Sequence, residues 1–279
     1  MVAGILYIVA TPIGNLEDIT YRAVRILREE VDAIACEDTR HTRKLLDRFA
    51  ISKPLISYHE HNEAGRAEEL AARLKNGERI ALVSDAGTPL VSDPGYRIVR
   101  RAIEEGVTVT PVPGPSAVTA ALAGSGLPTD TFYFAGFISA KRSQKLKMLS
   151  AFKDLEATVV LFEAPHRMLE TLADIESVLG SRQMVLAREL SKIHEEFLRG
   201  TPSELHQELA RRPSVKGEFT VLIAKAAPGA QARDVPVGEA VRGRMAEGSS
   251  RMDAIKSVAH ERGLAKREVY RMLEEEKNS

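Results

Sequence analysis

The chain has 279 residues, 44% of them hydrophobic and 28% charged, with 39 Lys plus Arg against 39 Asp plus Glu. That is the composition of an ordinary globular protein long enough for two domains, and it excludes a disordered chain or one drawn to nucleic acid by its net charge. Cys36 is the sole cysteine, which excludes a disulfide framework and a thiolate metal cluster. The longest apolar runs, Ile5 to Ala10 and Thr158 to Phe162, have the length of strands rather than of membrane spans. The first residues lack the basic stretch and cleavage site of a secretory signal, so a cytoplasmic location with no membrane partner is expected.

Taken in order, the first half alternates strand and helix. Ile5 to Ala10 is a buried strand, and Ile19 to Glu29 a helix with Tyr21, Val24, Ile26 and Leu27 on its apolar face. Val31 to Cys36 is a second strand, after which Thr39 is a suitable cap for a helix to about Phe49. Asn62 is placed to cap a helix through Leu74 with Gly77 as its stop; Arg79 to Ser84 is a strand; Pro94 suits the first turn of a helix that ends at Gly106; and Val107 to Pro111 is a short strand. This spacing predicts a mainly parallel sheet with helices on both faces.

The Pro- and Gly-rich segment Val112 to Ser116 is the natural junction between a first domain over 1–112 and a second over 113–227. In the second, Phe132 to Phe137, Thr158 to Glu163, Gln183 to Arg188, Glu196 to Arg199 and Glu218 to Lys225 are predicted strands. Helices are predicted over Lys141 to Phe152, over Pro165 to Leu179 and after Thr201, and the close strand spacing near Glu189 to Arg199 makes the sheet mixed. Ala226 to Val237 reads as a linker, and 228–279 as linker plus a small helical module. Ala254 to Leu273 has the outline of a helix-turn-helix around Gly263, open between an RNA contact and a helical cap.

Three strand-to-helix turns stand out: Thr11-Pro12-Ile13-Gly14, Ser84-Asp85-Ala86-Gly87-Thr88-Pro89 and Pro113-Gly114-Pro115-Ser116-Ala117. If the strands are parallel, these turns share the sheet edge where α/β proteins bind ligands. With one glycine in the first turn, the Gly-rich dinucleotide fingerprint is absent. Asp85 either faces a cationic or hydroxyl-bearing ligand or bonds its own turn. Glu37 to Arg40 end a strand, with Arg40, Arg43, Lys44 and Arg48 open between a phosphate-binding face and a solvated one. His59-Glu60-His61 does not match zinc spacing, so no metal is predicted. Glu163, His166 and Arg167, then Arg188, Glu189 and Lys192, end successive strands as a polar cleft lining, and Lys141-Arg142-Ser143-Gln144-Lys145-Leu146-Lys147 is the strongest basic patch.

Together, Val9 to Thr20, Cys36-Glu37-Asp38-Thr39-Arg40, Ser84 to Pro89, Phe162-Glu163-Ala164-Pro165-His166-Arg167 and Gly217-Glu218-Phe219 resemble the tetrapyrrole methylase superfamily over about Leu6 to Ala226. The resemblance implies two α/β domains of that type with S-adenosylmethionine in the cleft between them, and a homodimer. Ring-methylating relatives carry a glycine-rich first turn where this chain has Ala10-Thr11-Pro12, which favours the branch acting on ribosomal RNA. The implied reaction is methyl transfer to a cytidine ribose 2′-hydroxyl in the decoding region of 16S rRNA in the small ribosomal subunit. The family's cofactor contacts fall here on Ile13, Asp85, Thr88, Ser116, Ala117, Phe162, Ala187 and Phe219. Glu163, His166, Glu189 and Lys192 are the candidates for assisting the transfer, and Arg40, His59, Arg167, Arg188, Lys141, Arg142 and Lys145 for holding RNA. A small-molecule methylase of the tetrapyrrole type and a non-catalytic RNA-binding protein are the other readings.

Overall fold

The structure, a computed structural model, describes residues 4–226, 236–246, 248–262 and 264–276. Its first sheet is built from β1 (Ile5–Val9), β2 (Ala33–Cys36), β3 (Leu55–Ser57), β4 (Arg79–Val83) and β5 (Thr108–Val112), all parallel, in the order β3-β2-β4-β1-β5. Alternate residues of these apolar strands face opposite ways, so each face of the sheet acquires its own core. Tyr7, Val9, Ile34 and Val83 pack with Ile26 and Leu27 behind α1 (Tyr21–Arg25) and with Leu46 of α2 (Thr39–Arg48). Leu6, Ile8, Ile80 and Leu82 pack with α3 (Glu63–Lys75) and α4 (Tyr96–Glu104) on the other side.

The second sheet has the order β6-β7-β10-β8-β9, from β6 (Phe132–Phe137), β7 (Thr158–Glu163), β8 (Met184–Arg188), β9 (Glu196–Gly200) and β10 (Phe219–Ile223). Only β6 and β7 run parallel, so it is mixed as the strand spacing requires. One face carries α6 (Arg142–Ser150), α7 (Met168–Leu179) and α8 (Pro202–Ala210). The other carries α5 (Ala117–Ser125), whose Val118, Ala121 and Leu122 meet Val160, Val185 and Leu222, with Ile13 of the first domain's opening turn against the same cluster. Ile13 thus joins the two sheets at the cleft.

Helices α9 (Val237–Ala246), α10 (Arg251–Arg262) and α11 (Lys266–Glu275) enclose a small core of their own, with Val241, Ile255, Val258, Val269 and Leu273 buried. Gly263, the expected turn of the helix-turn-helix, lies outside the described residues, as does most of the expected linker. Among the described residues no helix is long and apolar enough to cross a membrane.

Several local expectations change. Asp38, not Thr39, caps α2: its backbone is extended and its carboxylate accepts the Arg40 N–H at 2.8 Å. Asn62 precedes α3 but its side-chain oxygen takes the His59 N–H instead of a helix N–H. The fourth helix starts after Gly95, leaving Pro94 in the loop. The expected helix over Ile19 to Glu29 is five residues of α1 continued by a π-helical turn, Ile26–Glu30. Tyr21 is not on the apolar face: it is 97% exposed.

Candidate active site

The three turns predicted to share an edge lie at the carboxyl ends of β1, β4 and β5, three adjacent strands. They are bonded to one another. Thr11 and Gly87 exchange backbone bonds at 2.9 and 3.0 Å, and the Thr11 hydroxyl donates to the Ser84 carbonyl at 3.0 Å. The Thr88 hydroxyl donates to the Pro115 carbonyl at 3.3 Å, tying the second turn to the third. The first turn then passes under the second domain. A Cβ on Gly14 would lie 2.4 Å from Cγ of Lys192 and 2.9 Å from the Leu190 carbonyl oxygen, so only glycine permits the approach.

Over these turns lies a cavity of about 380 Å³, within the size range of small-ligand sites. Its floor is Ile13, Gly87, Ser116 and Ala117, its far wall Phe162, Glu163, Phe219 and Glu218, and its rim Val91, Ser92, Asp93 and Phe137. Phe137 is aimed there by a bulge. Gly136 adopts φ +68° and the β6–β7 register shifts, so that Phe137 faces Phe162 at 5.3 Å between ring centroids. Val91, Ser92, Asp93 and Phe137 were not legible as site residues. The available signal was the Ser92-Asp93-Pro94-Gly95 turn, a second carboxylate in a tight loop after a strand.

Of the expected cofactor contacts, Ile13, Ser116, Ala117, Phe162 and Phe219 line this cavity. Asp85 and Thr88 flank the lining residues Ala86 and Gly87: Asp85 accepts the Asp38 N–H at 3.2 Å, and Thr88 bonds the third turn. Ala187 is fully buried under the cavity wall, paired with Thr220 in the sheet.

Strain concentrates on the two loops that frame the site. Leu90 (φ +72°) and Ser92 (φ +64°) lie in the β4–α4 loop, and Glu189 (φ +51°) and Ser191 (φ +65°) after β8. Such backbone costs roughly 1–3 kcal/mol per residue and persists where surrounding structure enforces it, commonly at active sites.

Carboxylates crowd the rim. Burial pushes the Asp93 carboxyl up to about 6, with Glu37 and then Asp85 adding like-charge repulsion. Glu37 is raised as well, by burial first and Asp85 next. Asp38 goes the other way, held at about 2 by its bonds to Arg40. His59 stands beside Glu37, its Nδ1 buried without a partner.

The expected catalytic and RNA candidates divide. Glu163 lines the cavity, but its oxygens accept the Ala164 N–H and the Thr171 hydroxyl, each at 2.6 Å, and pair with Arg167 at 2.6 Å. Arg167 is therefore an anchor for Glu163. His166 is exposed beyond the wall. Glu189 and Lys192 line an adjoining groove with Gly14 and Leu16. The Glu218 N–H, then Lys192, hold the Glu189 carboxyl below its usual range. Burial pulls the Lys192 ammonium down, but its pairs with Glu189 at 3.0 Å and Glu218 at 3.1 Å outweigh that and raise it. Arg188 donates to Glu196 and to the Lys216 carbonyl, bracing β8 against β9.

Arg40 is exposed, as is Lys141. The surprise in the basic patch is Lys145, which is 1% exposed, its ammonium 3.0 Å from both Glu170 and Asp174 and 3.3 Å from the Thr171 hydroxyl. Its charge is taken up inside the fold, because α7 places two carboxylates opposite it. Arg142 is exposed but pairs with the same Asp174 at 3.1 Å. Among the described residues no group of three or more His, Cys, Asp and Glu is placed to hold a metal ion.

A family profile described as tetrapyrrole (corrin/porphyrin) methylases matches residues 5–206. A protein of Halalkalibacterium halodurans named ribosomal RNA small subunit methyltransferase I is 46% identical over 279 residues, covering 98% of this chain and 96% of its own. A Synechocystis protein of the same name is 48% identical, covering 96% and 97%. The fold is similar to the crystal structure of uroporphyrin-III C-methyltransferase from Thermus thermophilus complexed with S-adenyl homocysteine, with TM-score 0.54 and 18% identity over 78% of this chain and 97% of that one. With the profile spanning most of the chain and relatives near half-identical along nearly all of it, this chain belongs to the tetrapyrrole methylase family, among relatives named ribosomal RNA small subunit methyltransferase I.

Proposed function

We propose that the chain transfers a methyl group from S-adenosylmethionine to the 2′-hydroxyl of a cytidine ribose in the decoding region of small-subunit rRNA. The carrying observation is the cavity formed where three mutually bonded turns meet the second sheet, in a chain so similar to proteins named for rRNA methylation. The cavity's chemistry fits the cofactor. Apolar Ile13, Phe162 and Phe219 suit an adenine ring, while the carboxylates of Asp93 and Glu218 suit ribose hydroxyls and positive charge. Asp85 and Thr88 support from behind, by holding the turns in place.

When bound, S-adenosylmethionine supplies an electrophilic methyl on a cationic sulfur. The protein's task is to hold the ribose oxygen in line with it, which can lower a barrier by several kcal/mol through positioning alone. Asp93 is the proton acceptor in this reading: it lines the cavity and ionises near pH 6, which makes it a stronger base than an ordinary aspartate. Lys192, kept protonated by Glu189 and Glu218, supplies positive charge beside the developing alkoxide. Glu163 and Arg167 keep the wall rigid.

The same reading has 1–112 and 113–227 as domains closing on the cofactor and 228–279 as an appended helical module. The protein works in the cytoplasm as a homodimer, for which Ile103, Phe132 and Tyr133 offer exposed apolar surface. The test is transfer of labelled methyl from S-adenosylmethionine to small ribosomal subunits lacking the modification, followed by nuclease mapping. Label in a 2′-O-methylcytidine of the decoding region is expected. Cofactor binding with no RNA labelling would move the assignment to a small-molecule methylase.

A further inference from the structure

Tyr21 at the first turn of α1 and Ile193 in the β8–β9 loop are each 97% exposed, large apolar groups that the fold leaves unused. They border two concavities, of about 530 Å³ beside Tyr21 and about 760 Å³ beside Ile193. The two share Leu16, Glu17 and Arg48, and so form one groove. At one end this groove reaches Lys192, whose partner Glu218 lines the cavity described above, so the groove adjoins the reaction site.

Its available charge is positive. Arg40, Lys44 and Arg48 recur one turn apart on α2, a stripe about 12 Å long that runs from the strand end beside Asp85 to the groove. Like charges at this spacing weaken a helix, so stability does not account for them. Arg40 is paired with Asp38, but among the described residues Lys44 and Arg48 have no ion pair and are exposed. Arg25 and Arg28 are engaged in building the wall, with Glu30 and the Phe49 carbonyl as partners. Of the carboxylates on the groove, Glu189 is matched by Lys192 and Glu17 stands alone.

We propose that single-stranded RNA flanking the target nucleotide lies in this groove, with a base stacked on Tyr21 and phosphates on Lys44 and Arg48. An exposed ring beside unpaired cations is the pattern by which proteins hold unpaired nucleotides. A second copy docking here about a two-fold axis would bring two such positive stripes into one interface, which disfavours that occupant. The proposal rests on the rRNA reading above and adds where the strand runs.

The experiment uses the full chain, a labelled single-stranded RNA of the decoding-region sequence, and small ribosomal subunits lacking the modification. Tyr21→Ala is expected to weaken RNA binding about tenfold and raise KM for subunits, with thermal midpoint and calorimetric affinity for S-adenosylmethionine unchanged. Tyr21→Phe should bind as the parent does, because stacking needs the ring and not the hydroxyl. Arg48→Gln should lower the slope of log affinity against log salt by about one. Parental affinity and KM in Tyr21→Ala and Arg48→Gln would overturn the groove assignment while leaving the activity standing. Loss of dimer in sedimentation of Tyr21→Ala, with RNA affinity intact, would overturn it in favour of a second copy. A parent protein that neither binds the RNA nor labels subunits would overturn the rRNA reading itself, and the groove with it.

Discussion

Helix α6 carries Lys145 into the layer beneath the second sheet, where it meets Glu170, Asp174 and Thr171, while α2 leaves Lys44 and Arg48 in solvent with no counter-ion. As sequence the two helices are alike: short, strongly basic, each following a strand. What separates them is the neighbour. Helix α7 runs against α6 and presents Glu170 and Asp174 one turn apart, so burying a cation there completes a network. Among the described residues, the outer face of α2 has no such helix across from it. A basic run therefore reports a surface only after the packing of the next element is known. The cleft lies between these extremes, with half-buried groups such as Asp93 and Lys192 whose charge is neither neutralised by the core nor free in solvent.

The largest effect should come from breaking the buried pair. Lys145→Ala leaves the buried Asp174 with the exposed Arg142 as its remaining counter-ion and is expected to cost about 3 kcal/mol in urea unfolding, with Lys145→Met recovering part of it. Survival of Lys145→Ala at parental stability would show that this cation is no more structural than those of α2.

Next in size is Asp93→Asn, for which turnover should fall at least about a hundredfold and lose the limb that rises through pH 6. The linkage sign is opposite to that of an ion-paired carboxylate. Because the folded pKa is raised, the unfolded chain releases its proton first, and stability falls as pH climbs from the usual aspartate value toward about 6. Asp93→Asn should therefore unfold at higher temperature than the parent at pH 8 and with little difference at pH 4. Equal midpoints at both pH values would remove the buried-carboxylate assignment.

Smaller again is the loss expected from Arg142→Ala, which removes an exposed arm of the same network. A cost under about 1 kcal/mol is expected, set against the large loss at Lys145. Smallest of all, Lys44→Gln should leave stability within about 0.5 kcal/mol of the parent, since nothing in the fold holds it. A larger loss would place α2 with α6.

The long strands and the three turns were legible because they are local. An apolar run of β-branched residues followed by a Pro- or Gly-bearing turn carries its own signal, and parallel strands bring such turns to one edge without further information. Strand β3 was not legible, since three residues, Leu55 to Ser57, become a strand only by pairing with β2. Tyr21 was assigned to a core face by periodicity. It is exposed because α1 ends after five residues and a π-helical turn shifts the register that the pattern assumed. Asp93 escaped notice because its raised ionisation comes first from burial and then from Glu37, which belongs to a different strand end of the sheet.

The sequence by itself determined the alternation of strands and helices, the parallel first sheet, the mixed second one and the turns that frame a ligand. These follow from residue periodicity and turn chemistry, which act over a few residues. Tertiary structure alone decided that Lys145 is a core residue, that Ala187 supports the cavity from beneath, that Phe137 swings into it on a bulge, and that Tyr21 and Arg48 share a groove. Burial, pairing and ionisation depend on which groups from remote segments come within a few ångströms, and that is a property of the packed chain.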